Sequence, residues 1–285
     1  MPDFPIVDAH VHLYDPAAIG YGWMKQAPKL NSLHASEEYT QAIGGTKVEK
    51  IVFLEVDADA GREIDEANWV TDAATRDPRI QAMVANLPLE KGPAAVEADM
   101  ATLSKMALTR GIRRLIQGHV DEPGWCIRPD FVAAVQLLPK YGLSFDICIY
   151  HPQMADAIEL VRRCPDVSFI LDHIGKPGIK DGLREPWWSQ MKDLATYPNV
   201  ICKISGAITE ADHQNWTYNQ VAPYVAHAID SFGFDRVAFG GDWPVLENAA
   251  RHTDWVGMVD RVTAGVGEAD LRKLYRENAI AFYRM

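Results

Sequence analysis

"PIVDAHVHLYDP", residues 5–16, has the pattern of a β-strand with two unlike faces. In a strand, side chains two residues apart lie on the same face. This pattern predicts a polar face with Asp8, His10 and His12, and an apolar face with Val7, Ala9 and Val11. We therefore predict that one face of this first strand packs in a core and that the other contributes to a polar site.

Similar β-branched segments recur along the rest of the chain, separated by roughly the length of a βα unit. The predicted strands are "PIVDAHVH" at 5, "VEKIVFLEVD" at 48, "RIQAMVANLP" at 79, "GIRRLIQGHV" at 111, "LSFDICIYHP" at 143, "VSFILDHIG" at 167, "VICKISG" at 200 and "RVAFGGDWP" at 236. Eight strands alternating with helices favour a closed (β/α)8 TIM barrel over an open doubly wound sheet. No strand is followed by the glycine-rich phosphate motif that open sheets of that kind often carry.

The segments between the strands have helical periodicity, and no low-complexity linker divides the chain. Val96, Met100, Leu103 and Ala107 fall on one helical face, whereas Pro139 should shorten or kink its helix. Residues 13–47 contain several prolines and glycines, which indicates a long loop over the barrel mouth followed by the first helix. We predict a single domain over residues 1–285.

Polar side chains collect where the predicted strands end, and parallel barrels carry their active sites at that rim. These residues are His10 and His12 (strand 1), Gln117 and His119 (strand 4), His151 (strand 5), His173 (strand 6), Lys203 (strand 7) and Asp242 (strand 8). Glu55 and Asp57 are related in the same way on strand 2. Five of the nine histidines are in this set, so the rim is the predicted functional site.

The first and last strands carry residue types that bind divalent metals. Two imidazoles at positions i and i+2 of a strand can converge on one cation, and neutral ring nitrogens suit zinc. In a closed barrel strand 8 lies beside strand 1, so Asp242 can reach the same point as His10 and His12. The alternative is a buried polar network that holds no metal.

Several motifs resemble those of the amidohydrolase superfamily, in particular its branch of sugar lactonases of the L-fuconolactonase and L-rhamnonolactonase type. The motifs are "DAHVH" at 8, "RPDF" at 128, "DHIGKP" at 172, "CKISG" at 202, "TEADHQNWT" at 209 and "FGGDWPV" at 239. The resemblance runs in order from residue 5 to the C-terminus. It implies an enzyme that hydrolyses a sugar-acid lactone, with one divalent metal ion or with none.

For that reaction, the predicted base and later acid is Asp242, because one carboxylate can serve both proton transfers in sequence. His173 and Lys203 are the predicted stabilisers of charge on the carbonyl oxygen. A lysine inside a strand of a parallel barrel should pair either with such a substrate oxygen or with a carboxylate. The predicted substrate-binding residues are His119, His151, Gln117 and Trp23, and His151 is also a possible metal ligand. A metal-dependent decarboxylase of the same superfamily and an inactive sugar-binding barrel remain as alternatives.

The formal net charge of -11 argues against a nucleic-acid partner and against attraction to anionic membranes. The N-terminus resembles no targeting signal, and no apolar run is long enough to span a bilayer. The four cysteines are scattered, which favours reduced thiols. We therefore expect a cytoplasmic protein that binds a small-molecule lactone, either as a monomer or as a homo-oligomer.

Overall fold

Eight parallel strands form one sheet whose spatial order follows the chain from β1 to β8 in the computed structural model, which describes residues 2–285. The strands are β1 (Ile6–Val11), β2 (Val48–Leu54), β3 (Ile80–Asn86), β4 (Thr109–Leu115), β5 (Ser144–Cys148), β6 (Phe169–Leu171), β7 (Val200–Ile204) and β8 (Val237–Phe239). Seven of the eight predicted segments contain one of these strands, and β4 begins two residues before its segment, which starts at Gly111. The prediction of a (β/α)8 barrel is confirmed.

The barrel closes where the two ends of the chain meet. The N–H of Asp242 donates to the carbonyl oxygen of His10 at 2.8 Å, and the N–H of His12 donates to that of Trp243 at 2.8 Å. Val11 and Trp243 form a parallel bridge. The segment after β8 therefore continues alongside the end of β1, and this brings Asp242 next to the two histidines.

Helices follow the strands and form the outer layer. They are α1 (Ser36–Ile43), α2 (Glu63–Arg76), α3 (Pro93–Leu103), α4 (Pro129–Val135), α5 (Met154–Arg163), α6 (Trp187–Leu194), α7 (Tyr218–Phe232), α8 (His252–Val262), α9 (Glu268–Arg272) and α10 (Asn278–Tyr283). As predicted, the helix before Pro139 is short. The predicted face of α3 is correct for its first three residues, but the helix ends at Leu103 and Ala107 is exposed.

The first strand departs from the predicted alternation. From Asp8 to Val11 it advances three residues while β2 advances two, from Ile51 to Phe53, which is a β-bulge. Asp8 consequently faces the helical layer, where it contacts Tyr39 and His252. The prediction that Asp8 shares a face with the two histidines is wrong, because a bulge reverses the alternation beyond it.

The apolar interior of the barrel is built from small and branched side chains. It consists of Val7, Ala9, Val52, Leu54, Ala82, Val84, Ile170 and Ala238, with Ala279 and Tyr283 of α10 packed against them. A larger apolar layer lies between the strands and the surrounding helices. These two layers support the strand ends, where the polar residues lie.

Residues 13–47 form the predicted long loop and first helix. Tyr14 and His34 pair as an antiparallel bridge, and a 3-10 helix spans Gly22–Gln26. The four cysteines are buried free thiols. Within residues 2–285, none of the helices has the length and apolarity needed to cross a bilayer.

Candidate active site

A cavity of about 820 Å³ opens at the C-terminal ends of the strands. Side chains from the ends of all eight strands and their following loops line it, including His12, Trp23, Asp57, Asn86, Glu90, Arg114, Gln117, His119, Tyr150, His173, Lys176, Glu210 and Asp242. The cavity therefore lies where parallel barrels bind their ligands.

Three donor groups converge at the junction of β1 and β8. The Nε2 atoms of His10 and His12 are 3.2 Å apart. The Oδ1 atom of Asp242 lies 3.7 Å from His10 Nε2 and 3.6 Å from His12 Nε2. His173 approaches the other carboxylate oxygen of Asp242, with its Nδ1 atom 3.8 Å from Oδ2. The structure thus brings four of the predicted residues together.

The protonation of the histidines follows from their surroundings. The carbonyl oxygen of Leu54 lies 2.9 Å from His12 Nδ1 and can only accept, so a neutral His12 ring has its lone pair on Nε2. Burial lowers the pKa of His10 well below its ordinary value, and the neighbouring Lys203 lowers it further. Burial followed by His10 likewise lowers the pKa of His173. His10 and His173 are therefore neutral at pH 7.

Strained backbone positions hold two of these groups. His173 has φ 53° and Asp242 has φ 57°, in the left-handed region that non-glycine residues seldom adopt. Gly206 is the reason that both side chains fit. A Cβ on Gly206 would lie 2.5 Å from His173 Nδ1 and 3.0 Å from Asp242 Oδ2.

A buried charged network lies beneath the histidines. Arg113 donates to Glu55 at 2.6 Å and to Asp172 at 3.2 Å. Lys203 forms ion pairs with Asp146 at 2.6 Å and with Asp172 at 2.9 Å. Despite burial, which alone would raise it, the two cations lower the pKa of Asp172 to about 2. Asp172 is therefore a carboxylate held by ion pairs.

The prediction that Lys203 contacts the carbonyl oxygen of a substrate is corrected by this network. Lys203 is fully buried and is not among the described residues that line the cavity. Its ammonium group is occupied by two carboxylates, and its Nζ atom is 3.3 Å from His10 Nδ1. Lys203 supports His10 and Asp172 from below and does not reach a substrate in the cavity.

The structure changes the predicted positions of three polar residues. Strand β4 ends at Leu115, so Gln117 and His119 lie on the following 3-10 helix and not on a strand face; both line the cavity. His119 stacks on Trp125 with ring centroids 3.8 Å apart. His151 is not among the described residues lining the cavity, and its Nε2 atom packs against Gly178. His151 is in neither of the two groups of donor atoms that could hold an ion, so the structure gives no support to it as a ligand, and its contact with a substrate stays a prediction.

Trp23 lines the cavity, as predicted for a substrate-binding side chain. Its indole N–H donates to the carbonyl oxygen of Val56 at 2.9 Å. Asp59 accepts a hydrogen bond from the N–H of Gly22 at 2.7 Å. The loop that carries Trp23 is thereby attached to the segment after β2.

A family comparison covers nearly the whole chain. The family model described as Amidohydrolase matches residues 7–285. The chain belongs to the amidohydrolase family.

Two relatives are similar to this chain over nearly their whole lengths. An L-fucono-1,5-lactonase from Burkholderia ambifaria is 28% identical over 287 residues, which cover 98% of this chain and 95% of that protein. An L-rhamnono-gamma-lactonase from Scheffersomyces stipitis is 26% identical over 341 residues, which cover 100% of both. The crystal structure of a zinc-bound amidohydrolase from Burkholderia multivorans has a TM-score of 0.87 and 25% identity, covering 99% of this chain and 100% of that one.

The donor set of this amidohydrolase fits a divalent ion. His10, His12 and Asp242 each offer one ligand atom, and these atoms lie within 4.8 Å of one another. Nitrogen and oxygen ligands of tetrahedral zinc are separated by about 3.3 Å, close to the distances found here. A second group, His10, Asp172 and His173, has similar spacing. The oxygens of Asp172 are already paired with Lys203 and Arg113, so the first group is the better cation site.

Sequence reasoning missed Lys176 and Arg113. Lys176 lines the cavity, donates to Gln117 Oε1 and lies over the ring of Tyr150. Burial alone would lower the pKa of Lys176, but Cys148, Glu210 and Asp242 raise it, so the side chain is charged. Lys176 stands in the "DHIGKP" motif, and Arg113 is a charged residue within a strand. A charged residue within a strand is also the pattern that singled out Lys203.

Proposed function

We propose that this amidohydrolase opens the ring of a sugar-acid lactone by adding water to its carbonyl carbon. The observation that carries the proposal is the position of Asp242, whose carboxylate lies between the His10–His12 pair and His173 in the cavity. The two lactonase relatives, which differ in sugar and in ring size, support this substrate class.

Asp242 is the proposed base. Its carboxylate takes a proton from a water molecule as the water oxygen bonds to the carbonyl carbon. When the ring C–O bond breaks, Asp242 returns this proton to the departing alkoxide and is again ionised. The products are the open hydroxy acid and the regenerated carboxylate, so atoms and charges balance apart from the final ionisation of the acid.

Charge on the carbonyl oxygen requires donors within the cavity. His173 is neutral at pH 7 and can donate a ring N–H, and Lys176 supplies a positive charge at the same side of the cavity. His173 Nδ1 lies 3.0 Å from Ser205 Oγ, which orients its ring. These residues replace Lys203 in the role that the sequence suggested.

His10, His12 and Asp242 would hold the divalent ion, and the zinc-bound relative favours zinc. When bound, such an ion polarises a carbonyl group and lowers the pKa of coordinated water. The chain's own contribution is to hold the two imidazoles toward one point: Leu54 fixes the His12 ring through Nδ1, and burial beside Lys203 keeps His10 neutral.

The alternative of a decarboxylase depended on His151 as an additional ligand. His151 is in neither group of donor atoms that could hold an ion, so the geometry gives no support to that additional ligand. The alternative of an inactive sugar-binding barrel has no support from the cavity, because Asp242, His10 and His12 are all present and adjacent.

The experiment is a screen of purified protein against a panel of aldonolactones, with a pH indicator reporting acid release. We expect hydrolysis of at least one aldonolactone by the wild type. In Asp242→Asn we expect kcat to fall by ~10²- to 10⁴-fold with a smaller change in KM. Asp99→Asn on the exposed face of α3 is the matched control. An Asp242→Asn enzyme that keeps most of its kcat would exclude Asp242 as the base.

A further inference from the structure

The wall of the cavity across the barrel from Asp242 has its own set of polar groups. It is formed by the ends of β2, β3 and β4, of which β4 lies opposite β8 and β3 lies opposite β7 in the closed sheet of eight strands. Asp57, Asn86, Glu90 and Arg114 line this wall, and none of them acts in the proposed proton transfers. We call these four residues the hydroxyl wall.

Asn86 carries an unsatisfied acceptor. It is 3% exposed, lines the cavity at the end of β3, and its Oδ1 atom has no hydrogen-bond partner among residues 2–285. A buried carbonyl oxygen without a donor costs free energy. A ligand that brings a donor to this position would recover that cost.

Arg114 of the hydroxyl wall is already paired with carboxylates. Arg114 donates to both carboxylate oxygens of Glu90, at 2.9 Å from Nε and 2.7 Å from Nη2, and its Nη1 atom lies 3.6 Å from Asp57 Oδ1. One guanidinium group therefore faces two carboxylates. These three groups carry two negative charges and one positive charge and present an excess of acceptors, which suits hydroxyl groups and disfavours an anion. Lys91, next to Glu90 in the chain, is exposed and also lines the cavity.

Two features hold the wall in place beside an apolar surface. Asp57 has φ 55°, and its N–H donates to Glu55 at 2.6 Å. Trp23 is fixed over the same segment by its hydrogen bond to Val56. An aromatic face next to rigid acceptors is a suitable surface for a sugar ring, which has apolar C–H faces and hydroxyl edges.

We infer that the hydroxyl wall is the subsite that selects neutral polyhydroxylated lactones over lactones that carry a carboxylate. Asn86 accepts a hydrogen bond from a sugar hydroxyl group, Asp57 and Glu90 accept further ones, and Trp23 covers the ring. The inference rests on the proposed function, since it assumes that the lactone carbonyl lies at Asp242.

The charges of the whole cavity agree with this selection. Seven carboxylate side chains and four Lys or Arg side chains are among the described residues that line it. Of these cations, Arg113 and Arg114 are paired with carboxylates, Lys176 donates to Gln117, and Lys91 is exposed beside Glu90. The chain segments that begin at the ends of β2, β3 and β4 contribute five of the carboxylates and three of the cations, so a substrate carboxylate there would meet an excess of negative charge.

The first test uses Asn86→Leu, which keeps the size of the side chain and removes its acceptor. Its substrates are the best aldonolactone of the panel and δ-valerolactone, an ester ring without hydroxyl groups. We expect kcat/KM for the aldonolactone to fall ~10-fold or more and that for δ-valerolactone to change less than about threefold. An equal loss on both substrates would show a structural role and overturn the inference.

The second test uses a matched pair, D-glucono-1,4-lactone and D-glucaro-1,4-lactone, which differ by a carboxylate in place of a hydroxymethyl group. We expect the wild type to prefer the neutral lactone by ~10-fold or more in kcat/KM. The double variant Asp57→Asn/Glu90→Gln frees Arg114 and should reduce this ratio by ~10-fold. Asp99→Asn, on the exposed face of α3, should leave the ratio unchanged.

These tests separate the two proposals. A wild type that opens no lactone overturns both the proposed function and the inference. A wild type that opens both lactones of the pair equally well overturns only the inference. If Asn86→Leu does not fold, judged by its circular dichroism melting curve, the second test decides, because Asn accepts the left-handed backbone of residue 57 as readily as Asp.

Discussion

The carboxylate of Asp8 accepts a hydrogen bond from the backbone N–H of Gly241, 233 residues further along the chain, at 2.6 Å. The same oxygen atom also accepts from the N–H of His10 at 3.1 Å. One side chain thus joins the backbone at His10 to the backbone next to Asp242. Asp8 makes these two hydrogen bonds on the outer face of the barrel, which faces the helices.

Asp8→Leu should therefore affect both stability and catalysis. The leucine side chain has no oxygen to accept from Gly241 and His10 or from Tyr39 and His252. We expect the free energy of unfolding in urea to fall by about 3 kcal/mol and kcat to fall by ~10-fold or more through displaced groups. Tyr39→Phe, which leaves the bonds to Gly241 and His10, is the control. A kcat equal to that of Tyr39→Phe would contradict the expected role of Asp8.

Gly206→Ala tests the close approach of His173 and Asp242. The new methyl group would displace His173 Nδ1, 2.5 Å away, and would be strained at φ 58°. Gly142, with φ 66° and nothing within 4 Å of a Cβ, is the matched position. Both alanine variants should lose about 1–2 kcal/mol of stability from the backbone. Only Gly206→Ala should also lose most of its lactonase kcat, and equal kcat values in the two variants would count against the geometry.

Lys203→Met removes the cation between Asp146 and Asp172. Because both carboxylates are fully buried, we expect the free energy of unfolding to fall by about 3–5 kcal/mol. Urea denaturation measures it, with Lys105→Met in the exposed turn after α3 as the control. Adding Asp146→Asn should restore part of the loss. A single variant as stable as the control would mean that the network does not need its lysine.

Glu66 should make stability depend on pH. Burial and then Glu55 raise the pKa of its carboxyl group from 4.5 to about 8. Between these values the folded protein keeps a proton that the unfolded chain releases, so this group lowers stability as the pH rises, by up to ~1.4 kcal/mol per pH unit. Glu66→Gln should remove this pH dependence from the free energy of unfolding, measured in urea from about pH 5 to about pH 8.

The acceptor oxygen that Tyr21 and Val56 use is kept in Glu66→Gln, so the fold should be retained. Glu37→Gln, on the exposed side of α1, should keep the slope of the wild type. If the free energies of unfolding of Glu66→Gln and of the wild type change equally with pH over this range, a protonated Glu66 is ruled out.

Metal content tests the cation site independently of activity. We expect protein dialysed against zinc and then against buffer to retain one zinc ion per chain, measured by elemental analysis. His12→Asn should lose most of it because one of three ligands is removed, whereas His151→Asn should retain it. Zinc retained equally by all three proteins would place the ion elsewhere. Full lactonase activity without zinc would instead assign His10 and His12 to direct contact with the carbonyl oxygen.

The sequence by itself determined the (β/α)8 barrel and the main group of polar residues at the C-terminal ends of its strands. Eight β-branched segments are local patterns, and parallel strands that alternate with helices all end at the same rim. Polar residues at those ends, such as His10, His173 and Asp242, must therefore collect there. This inference needs only the spacing of residues along the chain and the topology that the spacing implies.

Only the tertiary structure decided which side chains face the cavity and which support it. A bulge between Asp8 and Val11 turns Asp8 outward, and strand β4 ends before Gln117. Lys203 is occupied by carboxylates from β5 and β6, while a left-handed turn after β6 brings Lys176 to the cavity. These outcomes depend on contacts between strands far apart in the chain. A local pattern of residues does not indicate which distant charged side chain will be buried beside it.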